Sequence, residues 1–197
     1  MLLIDFGGVL TTDVFDSFAA FCEAEGLSSD RFRRLLEDDR EARDALVAIE
    51  TGAIGESEFE SRFAPLLGPT VEPDGLLARL GAGIKPEPTM LSIVEELREM
   101  GVVTVLVSNS FGVAAYKSYE LERRFDHLVI SGEVRVRKPS RAIFDHALIA
   151  AGCDARSAVF VDDLPHNVAG AERAGITGYV HRAAPATVEW LRSAFRR

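Results

Sequence analysis

At 197 residues the chain is long for one minimal domain and short for two, so an α/β core carrying a sizeable insertion is the expected arrangement. Hydrophobic residues make up 47% and charged residues 27%, enough apolar material for a packed core, which excludes a disordered chain. The formal net charge is −9 and the basic residues are scattered, which opposes a nucleic-acid backbone as partner but leaves an anionic small molecule open, because a local lysine and a divalent cation can reverse the field inside one cleft.

Leu2, Leu3 and Ile4 form a short apolar run that ends at Asp5 and meets Gly7 and Gly8, the pattern of a buried strand opening into a turn. From Asp13 to about Gly83 the period becomes helical: Val14, Phe18, Phe21 and Cys22 share one face, and Phe59, Phe63, Leu66 and Leu67 another. No convincing strand lies between them. After Pro86 and Pro88, the stripe Met90, Ile93, Val94, Leu97 predicts a helix that Gly101 ends, and 102–107 reads as a strand. A helix over 113–122, a strand over 128–130 and a helix holding Phe144, Ala147, Leu148 and Ala151 follow. A strand over 158–161 runs into Asp162 and Asp163; a helix over 168–174, a short strand over 178–181 and a last helix with Val188, Leu191 and Phe195 complete the series.

Apolar strands alternating with helices predict a parallel sheet covered on both faces. Ligands of such sheets bind beyond the carboxyl ends of the strands. The turns at Asp5, at Ser108–Asn109 and at Asp162–Asp163 all lie at such ends, so three distant segments can converge on one cleft.

The residue types in those turns suit phosphate-ester hydrolysis by a carboxylate. That chemistry needs a nucleophile, hydrogen bonds to the phosphoryl oxygens and neutralisation of charge. A carboxylate approaching one phosphate charge at about 4 Å is opposed by about 4 kcal/mol at an effective dielectric of about 20, so a cation is close to obligatory. Asp5, then Ser108 and Asn109, then Lys138 before Pro139, then Asp162–Asp163 supply the parts in order. Taken singly, each part also has a plainer reading, Asp5 as a turn residue, Ser108–Asn109 as a helix cap and Lys138 as a solvated loop lysine; the combination carries the specificity.

That ordered set resembles the haloacid dehalogenase superfamily of aspartate-nucleophile hydrolases, from Leu2 to about His181. The resemblance implies a Rossmann-like, doubly wound parallel α/β core over 1–12 and 84–197, with an α-helical cap domain inserted over 13–83. It implies a phosphatase acting on a small phosphorylated metabolite through an aspartyl-phosphate, with Mg2+ as cofactor. Asp5 would be the nucleophile and a metal ligand, the Gly7 carbonyl a second ligand, Asp163 the direct carboxylate ligand, and Asp162 the holder of metal-bound water. Ser108 and Asn109 would donate to the phosphate, Lys138 would balance the nucleophile, and Asn167 would support the acidic pair.

One position departs from the family pattern. The residue two after the nucleophile, usually an aspartic acid that protonates the leaving oxygen, is Gly7. A substrate whose leaving group needs little protonation is therefore expected, such as an anomeric sugar phosphate or an acyl phosphate, or another group supplies the proton; Asp13 is the candidate. The same departure keeps two alternatives open: a metal-independent 2-haloacid dehalogenase, in which the acidic pair would have no use, and a non-catalytic protein that binds a metabolite or another protein.

Cys22 and Cys153 read as reduced core residues. His127, His146, His166 and His181 have no zinc-site spacing, and His166 alone is close to the motifs. Neither a secretory leader nor a membrane span is expected, so the cytoplasm is the default location. Oligomeric state is not legible, since one sequence does not separate exposed from buried apolar positions.

Overall fold

The computed structural model describes residues 1–112, 116 and 119–196. Five strands, β1 (Leu2–Ile4), β2 (Thr104–Ser108), β3 (His127–Ile130), β4 (Val159–Asp162) and β5 (Thr177–Val180), form one sheet in the order β3-β2-β1-β4-β5. Every pairing is parallel; Leu3 stands between Val105 and Phe160, and Val161 pairs with Tyr179. The two central strands bury all, or nearly all, of their side chains, as their unbroken apolar runs require. With β1 in the middle, Asp5 emerges at the centre of the sheet's carboxyl edge.

Side chains alternate across the sheet and so feed two cores. On one face Leu2, Ile4, Leu106 and Val161 meet Met90, Ile93 and Leu97 of α6 (Pro88–Glu99) and Leu191 of α11 (Ala184–Ala194). On the other, Leu3, Val105 and Phe160 meet Ile143 and Phe144 of α9 (Arg141–Ala151) and Ala171 of α10 (Pro165–Arg173). The doubly wound α/β architecture expected from the alternation is the one observed.

Between β1 and α6 lie five helices: α1 (Val14–Ala24), α2 (Arg31–Asp38), α3 (Arg40–Glu50), α4 (Glu56–Leu67) and α5 (Leu76–Gly81). They enclose a third core, in which Phe18, Phe32, Phe63 and Phe59 pack in succession with 4.5–5.2 Å between ring centroids. The chain enters and leaves this helical segment through one neck. Thr12 N donates to Lys85 O at 2.8 Å, Lys85 N to Thr12 Oγ1 at 3.1 Å, and Thr11 bridges Pro86 antiparallel.

Several boundaries differ from expectation for local reasons. β2 starts at Thr104, because Gly101 in a left-handed turn lets Val102 N close back on Leu97 O and finish α6. α10 starts at Pro165, a residue suited to the first helical turn, and not at 168. β4 and β5 are each offset by one residue, and two helical turns precede and follow β3: α7 (Leu121–Arg124) and α8 (Ser131–Val134). Half of the helix expected over 113–122 lies outside the described residues. Cys22 is buried as expected, whereas Cys153, just past the end of α9, is only half-buried. Among the described residues no helix is long and apolar enough to cross a membrane.

Candidate active site

The carboxyl edge of the sheet carries an ionic cluster buried almost completely. Asp5 N still follows the sheet, donating to Val161 O at 2.9 Å, and its carboxylate turns back onto its own strand end. Asp5 Oδ1 accepts from Phe6 N at 2.7 Å and lies 2.6 Å from Lys138 Nζ. Lys138, 1% exposed, also donates to Asp162 Oδ2 at 2.7 Å. Asp162 is held further by Leu164 N at 2.9 Å and by the Asn167 amide at 3.0 and 3.1 Å. Asp162 is thus pinned by three donors, and Asp163 beside it stays half-buried, with its carboxylate against the backbone of Gly8. A Cβ at Gly8 would lie 2.5 Å from Asp163 Oδ2, and Gly8 has φ +72, so only glycine serves there.

Charge does not balance within this cluster. Asp5, Asp162 and Asp163 offer ligand oxygens within 4.8 Å of one another, against one buried lysine. Burial pushes the Asp5 carboxyl well above its ordinary range; Lys138 opposes the push, while Asp162 and Asp163 add to it. Burial, then Asp162, raises Asp163 to about 6. For Lys138 burial pulls down, yet the two carboxylates outweigh it and hold the ammonium above its usual value. Uncompensated negative charge among hard oxygen donors fits a hard divalent cation of the magnesium type.

The remaining expected residues border the same edge. Ser108 ends β2, buried, with Oγ 3.0 Å from Tyr116 Oη. Burial raises Tyr116 to about 12, so its hydroxyl stays protonated and can donate to Ser108, which leaves the serine proton for another acceptor. The Asn109 side chain spans the Lys138 backbone: Lys138 N donates to Asn109 Oδ1 at 2.8 Å, and Asn109 Nδ2 to Lys138 O at 3.3 Å. In this state the Asn109 amide fixes the lysine loop. Asn167 accompanies Asp162, with its own Oδ1 buried and unpartnered.

Asp5, Lys138, Asp162, Asp163 and Asn167 therefore gather in one place, with Ser108 and Asn109 alongside. Gly7 lies two residues after Asp5 with Val14 close by: a Cβ at Gly7 would lie 3.0 Å from Val14 Cγ1. Asp13 is exposed and caps α1, accepting from Phe15 N at 2.7 Å, although its charge reaches Asp163. His166 is exposed. Tyr116 carried no signal in the sequence, standing in a stretch that reads only as helix. Glu50 and Arg137, an ion pair at 2.6 Å between α3 and the residue before Lys138, were equally silent. Next to them a cleft of about 820 Å³ opens between the helical segment and the sheet edge, with Ile49, Ile54, Ser110, Tyr116, Leu128 and Ile130 in its wall.

Comparison with known proteins bears on the same residues. The haloacid dehalogenase-like hydrolase family matches residues 1–175. The chain is 33% identical over 99 residues, 48% of its length, to a glyceraldehyde 3-phosphate phosphatase of Methanopyrus kandleri, and 29% identical over 99 residues to a sesquiterpene phosphatase of Aspergillus oryzae. The matched stretch spans 42% of the first relative and 50% of the second. Among solved structures, a HAD family enzyme of Bacteroides thetaiotaomicron superposes over 100% of this chain and 98% of its own, with a TM-score of 0.76 and 25% identity. The same enzyme is known in complex with magnesium and inorganic phosphate, and that form matches at a TM-score of 0.72 over 92% of this chain and 93% of its own.

Proposed function

Because this chain belongs to the haloacid dehalogenase-like hydrolase family, we propose that it is a magnesium-dependent phosphatase that hydrolyses a small phosphate monoester through a phosphoryl group carried on Asp5. The observation that carries the reading is the contact of Asp5 Oδ1 with Lys138 Nζ beside Asp162 and Asp163: a buried nucleophile with a fixed cation and a surplus of carboxylate for a second one. Asp5, Asp163 and the Gly7 carbonyl would hold magnesium, with Asp162 supporting its water. When bound, the ion would offset the charge that otherwise repels phosphate.

Lys138 and Phe6 N occupy Asp5 Oδ1 and orient the carboxylate, so Oδ2 attacks phosphorus. The new O–P bond forms as the ester O–P bond breaks, and the alcohol oxygen leaves with the bonding pair. Water then attacks the phosphorus of the phosphoryl-aspartate, phosphate departs and Asp5 returns as a carboxylate. Ser108, relieved of its proton duty by Tyr116, donates to a phosphoryl oxygen; Lys138 stays protonated throughout and opposes the rise that burial gives the Asp5 carboxyl. The helical segment over 13–83 serves as the cap, excluding water, and the cleft beside Ser110 takes the organic part of the ester.

Gly7 supplies no acid, so the leaving group must depart with little help. A positioned acid contributes about 10²–10⁴ in rate, a loss that a good leaving group offsets. Gly7 is also the one feature that favours binding without turnover. A dehalogenase would leave the Asp162–Asp163 charge without a purpose.

Release of phosphate from a panel of anomeric, acyl, aryl and alkyl phosphates, with and without magnesium, tests the proposal alongside chloride release from 2-haloacids. Magnesium-dependent phosphate release that Asp5→Asn abolishes is expected. Chloride release without metal, or no turnover of any ester, would overturn it. Gly7→Asp, made with Val14→Ala to clear the 3.0 Å contact, should help alkyl phosphates more than aryl or anomeric ones.

A further inference from the structure

Among the described residues Glu50 is the one charged side chain of the helical segment that is buried, 8% exposed, and it stands at the last turn of α3 where that helix meets α8. A carboxylate at a helix C-terminus adds negative charge to the negative end of the dipole, so neither local structure nor the aromatic core explains it. Its contacts lie across the cleft. Glu50 Oε2 is 2.6 Å from Arg137 Nε, an ion pair by distance although the N–H is not aimed at the oxygen. Its backbone carbonyl accepts from Ser131 Oγ, and Ser131 Oγ in turn accepts from Ser110 N at 2.7 Å.

These contacts close a circuit. Arg137 precedes Lys138, whose backbone is clasped by Asn109, and Asn109 precedes Ser110, which returns through Ser131 to Glu50. The approach around it is close: a Cβ at Gly52, which has φ +65, would lie 2.5 Å from Gly132 O, and Arg135 Nη1 donates to Gly52 O at 3.4 Å. We propose that Glu50 is a positioning residue that couples docking of the helical segment to the alignment of Lys138 and Asn109. Its side chain sets the loop of Lys138 from one side, and its carbonyl sets the loop of Asn109 from the other. The catalytic consequence rests on the phosphatase reading above; the mechanical coupling does not.

The test uses Glu50→Ala, Glu50→Gln, Ser131→Ala and the Glu50→Ala/Ser131→Ala double variant in the full chain. Misplacement of reacting groups by about 1 Å costs about 10²-fold, so Glu50→Ala and Ser131→Ala should each lower kcat by about 10- to 100-fold with little change in KM. The double variant should fall hardly further, because both cuts open one circuit. Glu50→Gln, which keeps an oxygen beside Arg137, should regain most of the rate. Amide exchange at Ser110 N and Lys138 N should quicken about 10-fold in Glu50→Ala while Leu3 and Phe160 stay protected. Unchanged kcat and unchanged exchange at those two amides would overturn the proposal, as would fully multiplicative losses in the double variant. Should Glu50→Ala fail to fold, Ser131→Ala with Glu50→Gln decides the same point. Failure of the wild type to hydrolyse any ester would refute the phosphatase reading, and the exchange rates would still decide the coupling.

Discussion

At the sheet's carboxyl edge Asp5, Lys138 and Asp162 lie buried in mutual contact, whereas at the centre of α1–α5 Phe18, Phe32, Phe59 and Phe63 meet with no charge among them and Glu50 is confined to the rim. Both regions are well packed, so packing does not distinguish them. The difference is the cost of what they bury. An aromatic core is stabilised by burial itself, while each ion at the sheet edge loses hydration worth several kcal/mol and must recover it from partners. A cluster with three carboxylates and one lysine recovers too little alone, and that shortfall is the physical reason to expect a dication.

Removing the lysine should break the comparison most severely. Lys138→Met would leave Asp5 and Asp162 without their shared counter-ion; loss of one partner from a buried pair costs about 3–5 kcal/mol, readable in chemical denaturation. An unchanged midpoint would mean that the carboxylates are already neutral in the fold. A smaller effect is expected at Asp163. Magnesium at about 100 times its dissociation constant should stabilise the wild type by about 2.7 kcal/mol, and Asp163→Asn should lose most of that shift in a thermal melt at the same concentration. An equal shift in both proteins would move the ion elsewhere.

Per pH unit, the smallest effect sits on the rim of the helical segment. Burial raises the Glu50 carboxyl from 4.5 to about 7, with Arg137 and then Lys138 opposing the rise. Between those values the folded protein keeps a proton that the unfolded chain releases, so this contribution to stability is fully present below about 4.5 and is lost as pH rises through about 7. The stability of Glu50→Gln relative to wild type should therefore climb by at most about 1.4 kcal/mol per pH unit across that window and level off above it. A difference that is flat with pH would show Glu50 ionised throughout.

The sheet was legible because its strands are unbroken apolar runs, and the motif residues were legible because each ends such a run: Asp5 after Ile4, Ser108 after Val107, Asp162 after Val161. Lys138 has no strand to mark it and stands out only as one of the ordered set, yet it occupies the centre of the cluster. What the sequence hid is what depends on contacts between distant segments. Nothing near Ser108 announces that Tyr116 will share its hydroxyl bond, and Asn109 reads as a phosphate ligand until its amide is seen to grip the Lys138 backbone. Glu50 carries no signal in the sequence, since burial against Arg137 arises only once α3 meets α8. Boundary shifts at Val102 and Pro165 come from backbone closure at helix ends, which periodicity does not record.

The role of Asp5 is the claim on which the rest depends, and acid-quenched turnover followed by peptide mass spectrometry reaches it directly. With a hydrolysed phosphate ester and magnesium, one phosphoryl group is expected on the peptide that contains Asp5, absent without the metal and absent in Asp5→Asn. Steady phosphate release with no adduct on that peptide, or with an adduct on another residue, would contradict it.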